Sequence, residues 1–166
     1  SLGLLDQLAA LHQLPAATRP LLETAAWLHD VGHAVHYAKH HRHSQYLILH
    51  SDIPGLTDRE RLLASLVARF HRRSPPERTH LELEPLSPAE FTAVRRLSTL
   101  LRVADSLDRS HQQPVKQVVA TSRGNVVQLR VRPHPRRDLE LEFWDAAHEI
   151  ELFGKVFDKT LAVVKG

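Results

Sequence analysis

A histidine and an aspartate stand side by side at His29-Asp30, at the end of an apolar run, Leu21-Leu22-Glu23-Thr24-Ala25-Ala26-Trp27-Leu28. Three further groups that can ligate a metal follow: His43, His71 and Asp105. Each falls where the surrounding pattern calls for an apolar side chain. Imidazoles and carboxylates turned into one core cost free energy unless something pairs them. A divalent cation is the simplest partner, and water coordinated to it ionises near pH ~7, which supplies a hydroxide nucleophile. One ion would be held by His29, Asp30 and Asp105 with a further ligand. A second would use His43 and His71, with Asp30 bridging. Two ions about 3.5–4 Å apart would clamp the attacking and leaving oxygens of a phosphoryl group. His and Asp donors suit Mn, Fe, Zn, Ni or Mg to different degrees, and spacing does not choose among them.

Helical spacing turns these groups inward. Leu22, Ala25 and His29 share a face, and Ala26 leads to Asp30. Leu63, Val67 and His71 recur four apart, as do Leu97, Leu101 and Asp105, and His43 lies four before Leu47. Singly, each has an ordinary reading: a hydrogen-bonded core histidine, a helix-terminating Asp30, an Asp105 paired with Arg102 or Arg109. Jointly those readings require several independent coincidences, which favours the metal site. His33, His36, His40 and His41 read as solvated. Lys39, Arg42, Arg72, Arg102 and Arg109 lie within a few residues of the ligands in sequence, and guanidinium groups suit phosphate. Arg72 and Arg102 are the candidates for neutralising a reacting phosphate beside Asp30. Lys39, Arg42, Arg72 and Arg109 are the candidates for holding the substrate.

The elements that must position these residues are mostly helical up to about residue 112. Helices are expected over Leu2–Gln13, from Arg19-Pro20 to about Val31-Gly32, and from Arg42 to His50. Thr57-Asp58-Arg59-Glu60 is a capping box opening a helix to about Arg73. Ser87-Pro88-Ala89-Glu90 is a second, with Pro at the first helical position, opening a long helix to about Arg109. After His111 the period changes. Val115–Thr121 and Val126–Arg132 read as strands joined through Ser122-Arg123-Gly124-Asn125. Leu139, Leu141 and Phe143 alternate with acidic residues as on a half-buried strand. Asp145 to about Thr160 is an amphipathic helix, and Leu161–Val164 a last short strand. The fold class is therefore mainly α: a helical domain over residues 1–112, then a small α+β subdomain over residues 113–166.

Thirteen histidines in 166 residues, seven of them from His29 to His50, are unusual. The absence of cysteine excludes disulfides and thiolate ligands. A formal charge of +3 is too mild to point to nucleic acid, and no groove-reading or base-stacking motif appears. No stretch of apolar residues is long enough to span a membrane, and no signal peptide is visible, so cytoplasm is the expected location. With no methionine, Ser1 is not expected to be a native start, and the chain reads as a piece of something longer.

The string Ala25-Ala26-Trp27-Leu28-His29-Asp30-Val31-Gly32 resembles the motif of HD-type metal-dependent phosphohydrolases. His40-His41-Arg42-His43-Ser44-Gln45-Tyr46-Leu47-Ile48 is similar to a segment of the C-terminal domain of the exopolyphosphatase/guanosine pentaphosphatase (Ppx/GppA) family. Arg69-Phe70-His71-Arg72 and Leu100-Leu101-Arg102-Val103-Ala104-Asp105-Ser106-Leu107-Asp108-Arg109 resemble two more of its motifs, in the same order. The resemblance implies an HD helical bundle and a chemistry of polyphosphate or guanosine tetra- and pentaphosphate. It also implies that the exopolyphosphatase reaction belongs to an actin-like ATPase-fold phosphatase domain, whose glycine loops are absent here. HD domains take a first His from an upstream helix. No motif here matches it, and His12 lies too close to His29 to replace it.

Two readings follow. In one, the domain is a phosphohydrolase acting on phosphate esters or anhydrides through a metal-activated water. In the other, it is a non-catalytic module that binds polyphosphate or (p)ppGpp-like anions and supports homodimerisation.

Overall fold

The computed structural model describes residues Ser1–Gly166: eight α-helices and one three-stranded sheet. The chain forms two compact units, one of residues 14–101 and one of residues 1–13 with 102–166. The change from helix to strand falls between Ser106 and Val115, where the sequence places it. The compact units divide after Gln13 and after Leu101, with residues 1–13 grouped with residues 102–166. No helix is long and apolar enough to cross a membrane.

The unit of residues 14–101 is helical. α3 (Arg19–Leu28) opens on Arg19-Pro20 and buries Leu21, Leu22 and Ala25. It ends earlier than the expected Val31-Gly32. His29-Asp30 form a turn, and Val31–Ala34 follow as a short 3-10 turn. α4 (His40–His50) begins two residues before the expected Arg42. α5 (Asp58–Arg69) is the centre of the unit: every residue from Leu63 to His71 is buried, and it packs on both α3 and α4. Its capping box is present, with the Thr57 hydroxyl accepting from Glu60 N–H and the Glu60 carboxylate accepting from Thr57 N–H. α6 (Pro88–Ser106) starts on the second box, where Glu90 accepts from Ser87 N–H at 2.8 Å and Ser87 Oγ accepts from Glu90 N–H at 3.3 Å. Arg59 donates two 2.7 Å bonds to the same carboxylate. Ser87→Ala is expected to lower stability by about 1 kcal/mol, measured from urea midpoints, by freeing the Glu90 amide.

In the other unit, the expected Leu2–Gln13 helix is broken into α1 (Leu2–Gln7) and α2 (Ala9–His12) at Leu8. β1 (Val115–Arg123) and β2 (Val126–Pro133) form an antiparallel hairpin around Gly124-Asn125. β3 (Thr160–Lys165) adds parallel to β2. A parallel pair needs a crossover. Here α7 (Glu140–His148) and α8 (Ile150–Phe157) supply it. The core contains Val127, Leu129, Val131, Leu139, Ala146, Phe153, Phe157 and Leu161.

The strand expected over Leu139–Phe143 is the start of α7 instead. Leu139, Glu142 and Ala146 are buried at helical spacing, and Leu141 is exposed. Glu142 is buried because its carboxylate accepts from Ser110 N–H at 3.1 Å. Asp138 Oδ1 accepts from the Leu139 and Glu140 amides, and acidic residues in the first turn suit the helix N-terminus.

Candidate metal centre

Asp30 is the hub of the site. Its Oδ1 lies 3.1 Å from His40 Nε2, 3.5 Å from His71 Nε2 and 3.6 Å from His33 Nε2. Its Oδ2 lies 3.6 Å from His29 Nε2. Two sets of donors result, His29-Asp30-His71 and Asp30-His33-His40, each with its ligand atoms within 4.8 Å of one another.

Local structure explains why these rings converge. His29 and Asp30 occupy the turn that ends α3, and His71 lies just past the end of α5. His33 follows Asp30 by one 3-10 repeat, which eclipses their side chains. His40 opens α4 behind Lys39, whose backbone is left-handed at φ 60°. The 3-10 turn is pressed onto α4 at Gly32, whose N–H donates to Ser44 Oγ at 2.9 Å. A Cβ on Gly32 would fall on the His40 carbonyl oxygen, 2.5 Å from the Ser44 nitrogen and 2.8 Å from His43 Cβ.

The protonation pattern is fixed by the backbone. Nδ1 of His29, His71 and His40 faces the carbonyls of Ala26, Ala68 and Tyr37 at 2.9, 2.6 and 3.2 Å. A carbonyl only accepts, so each Nδ1 donates, and each neutral ring has a bare Nε2. These bare nitrogens and the Asp30 carboxylate face one another, with His40 and His71 Nε2 only 3.4 Å apart. Facing acceptors repel until a cation or a proton lies between them. Burial is the largest influence on His40 and holds its pKa below the usual histidine range, although Asp30 pulls the other way. Bare imidazole nitrogens around a carboxylate are a donor set that suits a divalent cation. The Nδ1–carbonyl bond is also the arrangement that orients ligating imidazoles.

The placement of the expected residues differs in part. His29, Asp30 and His71 come together. His43 is half-buried and belongs to neither donor set; His40, read from sequence as solvated, supplies the α4 imidazole and is 2% exposed. His33 is exposed as expected yet joins the cluster, and His36 is exposed, its Nδ1 accepting from Ala38 N–H. Arg72 Nη1 stands 3.4 Å from His40 Nε2, at the edge of the cluster. Lys39 and Arg42 are exposed at the start of α4.

Asp105, Arg102 and Arg109 belong to the other unit, so Asp105 as a ligand rests on the sequence pattern. The Arg102 guanidinium is held by Glu149 at 2.6 and 3.1 Å. Arg109 is exposed, 3.8 Å from Asp145.

His41, also expected in solvent, is buried. Burial, then the charges of Arg69, His71, His40 and Arg72, push its pKa down to about 3. The unfolded chain takes up a proton at His41 near pH 6.5, whereas the folded chain does not. His41 is thus expected to withdraw stability as pH falls from 6.5 toward 3, with full stability above 6.5. Urea midpoints at pH 7.5 and 5 are expected to differ less in His41→Leu than in the unaltered chain.

The sequence profile of Ppx/GppA phosphatase domain III matches residues 1–150. A guanosine-5'-triphosphate,3'-diphosphate pyrophosphatase of Vibrio vulnificus is 32% identical over 133 residues, covering 74% of this chain and 25% of that protein. The protein of the same name from Photobacterium profundum is 31% identical over 67% of this chain and 22% of its own length. That from Aeromonas hydrophila is 35% identical over 52% of this chain and 17% of its own. The chain thus spans about a quarter or less of the relatives it matches. With the matched profile covering all but the last sixteen residues, the chain belongs to the Ppx/GppA phosphatase domain III family.

Proposed function

We propose that this chain carries an HD-type metal centre and acts as a phosphohydrolase on phosphate esters or anhydrides. The convergence of bare imidazole nitrogens on Asp30 carries this reading. His29, His71 and Asp30 would hold one ion, and Asp30, His33 and His40 a second. When bound, the cation supplies Lewis-acid charge and an activated water. The residues themselves have separable tasks. The Ala26, Ala68 and Tyr37 carbonyls orient the rings, and Gly32 lets the two ligand-bearing segments approach. Arg72, 3.4 Å from His40 Nε2, supplies positive charge for a phosphate, with Lys39 and Arg42 exposed at the start of α4 as further candidates. The names of the relatives point to a guanosine polyphosphate as the substrate class.

Metal content after incubation with manganese or zinc and desalting tests the centre. One to two equivalents are expected, falling sharply in Asp30→Asn. A chain that retains no metal under any of these conditions would sink the reading. A phosphatase screen of the loaded chain then tests catalysis.

A second reading is favoured by the short span relative to the relatives. In it, the metal is structural and the domain binds polyphosphate anions or supports a homodimer in a longer protein with an actin-like phosphatase domain. Tight polyphosphate binding by a metal-loaded chain without turnover would select it.

A further inference from the structure

In the unit of residues 1–13 and 102–166, a groove of about 630 Å³ lies between the loop after α6, the loop after β2 and the first turns of α7. That volume is within the range of small-molecule sites, roughly 300–1,000 Å³. Its wall carries Trp144, 58% exposed, and exposed Leu141. The indole is steadied by an edge contact with His148 at 4.5 Å. Two guanidinium groups, those of Arg136 and Arg137, also line the groove. Arg137 is held by Gln112 at 2.9 Å, whereas Arg136 makes no ion pair. The carboxylates differ in availability. Asp138 caps α7, Glu142 is 2% exposed and accepts from Ser110 N–H, and Glu140 is exposed and unpaired. Arg136 has a left-handed backbone at φ 64°.

We propose that this groove binds a purine nucleoside monophosphate. The base stacks on Trp144, a free carboxylate at Glu140 accepts from the ring and amino N–H groups, and the phosphate is held by Arg136 and Arg137. A flat aromatic face, a free anion and a pair of guanidiniums in one concavity match the three parts of a nucleotide. The site is independent of the histidine cluster, and no step of the proposed hydrolysis uses it.

The two tryptophans make the test direct. In the whole chain carrying Trp27→Phe, Trp144 is the sole indole. GMP is expected to quench its fluorescence saturably, inorganic phosphate alone is expected not to, and guanosine is expected to bind about tenfold more weakly than GMP. By calorimetry, Trp144→Leu and Arg136→Ala should each weaken GMP about tenfold. Both side chains are exposed, and circular dichroism checks that the fold is kept. Asp30→Asn should leave the affinity unchanged. The proposal is overturned by no saturable quench at millimolar GMP, by a GMP affinity in both groove variants equal to that of the unaltered chain, or by loss of binding in Asp30→Asn, which would place the nucleotide at the histidines.

Discussion

Gly32→Ala is expected to destabilise the chain by about 3 kcal/mol, at the upper end of what overpacking a close contact costs. The reason is space rather than backbone freedom. A single methyl would overlap the His40 carbonyl and crowd Ser44 N and His43 Cβ, all on the backbone or stem of α4. None of these can rotate away, so α4 must move from the 3-10 turn, and the Gly32–Ser44 bond breaks with it. Because His29, Asp30 and His33 sit on one side of that contact and His40 on the other, metal retention should fall together with the urea midpoint. Gly124→Ala provides the contrast. Nothing lies within 4 Å of its added carbon, and its φ of +54° carries only the left-handed penalty of about 1 kcal/mol. Equal midpoints for Gly32→Ala and the unaltered chain would show that the two segments are not clamped as described.

The second large effect separates two histidines on one helix. His40→Ala is expected to weaken manganese or zinc binding by about 100-fold or more, the scale at which even outer-shell partners act. His43→Ala should change it less than about threefold, since His43 lies outside both donor sets. Competition against a chelating dye measures both, and circular dichroism confirms that the buried His40 position tolerates Ala. The reverse order, with His43 the larger loss, would restore the ligand assignment drawn from the sequence motif alone.

The placement of His40 and His43 shows what the sequence made legible. The two capping boxes were readable because each is completed within four residues, at Thr57–Glu60 and Ser87–Glu90. The start of α4 was not. Lys39 offers no capping side chain and takes a left-handed backbone, so nothing local announces a helix at His40. Starting the helix at Arg42 moved His40 into a loop and made His43 the inward candidate. His33 was missed for a related reason, since a 3.6-residue period does not bring it beside Asp30, whereas a 3-10 turn does. The α7 segment failed differently. Alternation of Leu139, Leu141 and Phe143 with acids counts Glu142 as solvent-facing, and only the distant Ser110 amide makes its burial tolerable. That His29, Asp30 and His71 come together was legible because each lies in the turn that follows the apolar stripe of α3 or α5.

Gln7 on α1 reaches across 111 residues to take the place of a strand neighbour on β1, donating to Val118 O at 3.2 Å and accepting from Ala120 N–H at 2.8 Å. The helical unit of residues 14–101 is inserted in sequence between these partners. Its internal contacts lie within residues 14–101, so they can form before the C-terminal strands are made. The sheet unit, by contrast, must wait for β3 near residue 165 before its N-terminal helices have a complete surface to join. Closing so long a loop is slow, and the entropic cost is lowered when the intervening segment is already compact. Connectivity therefore favours an order of assembly with the histidine cluster first and the sheet last.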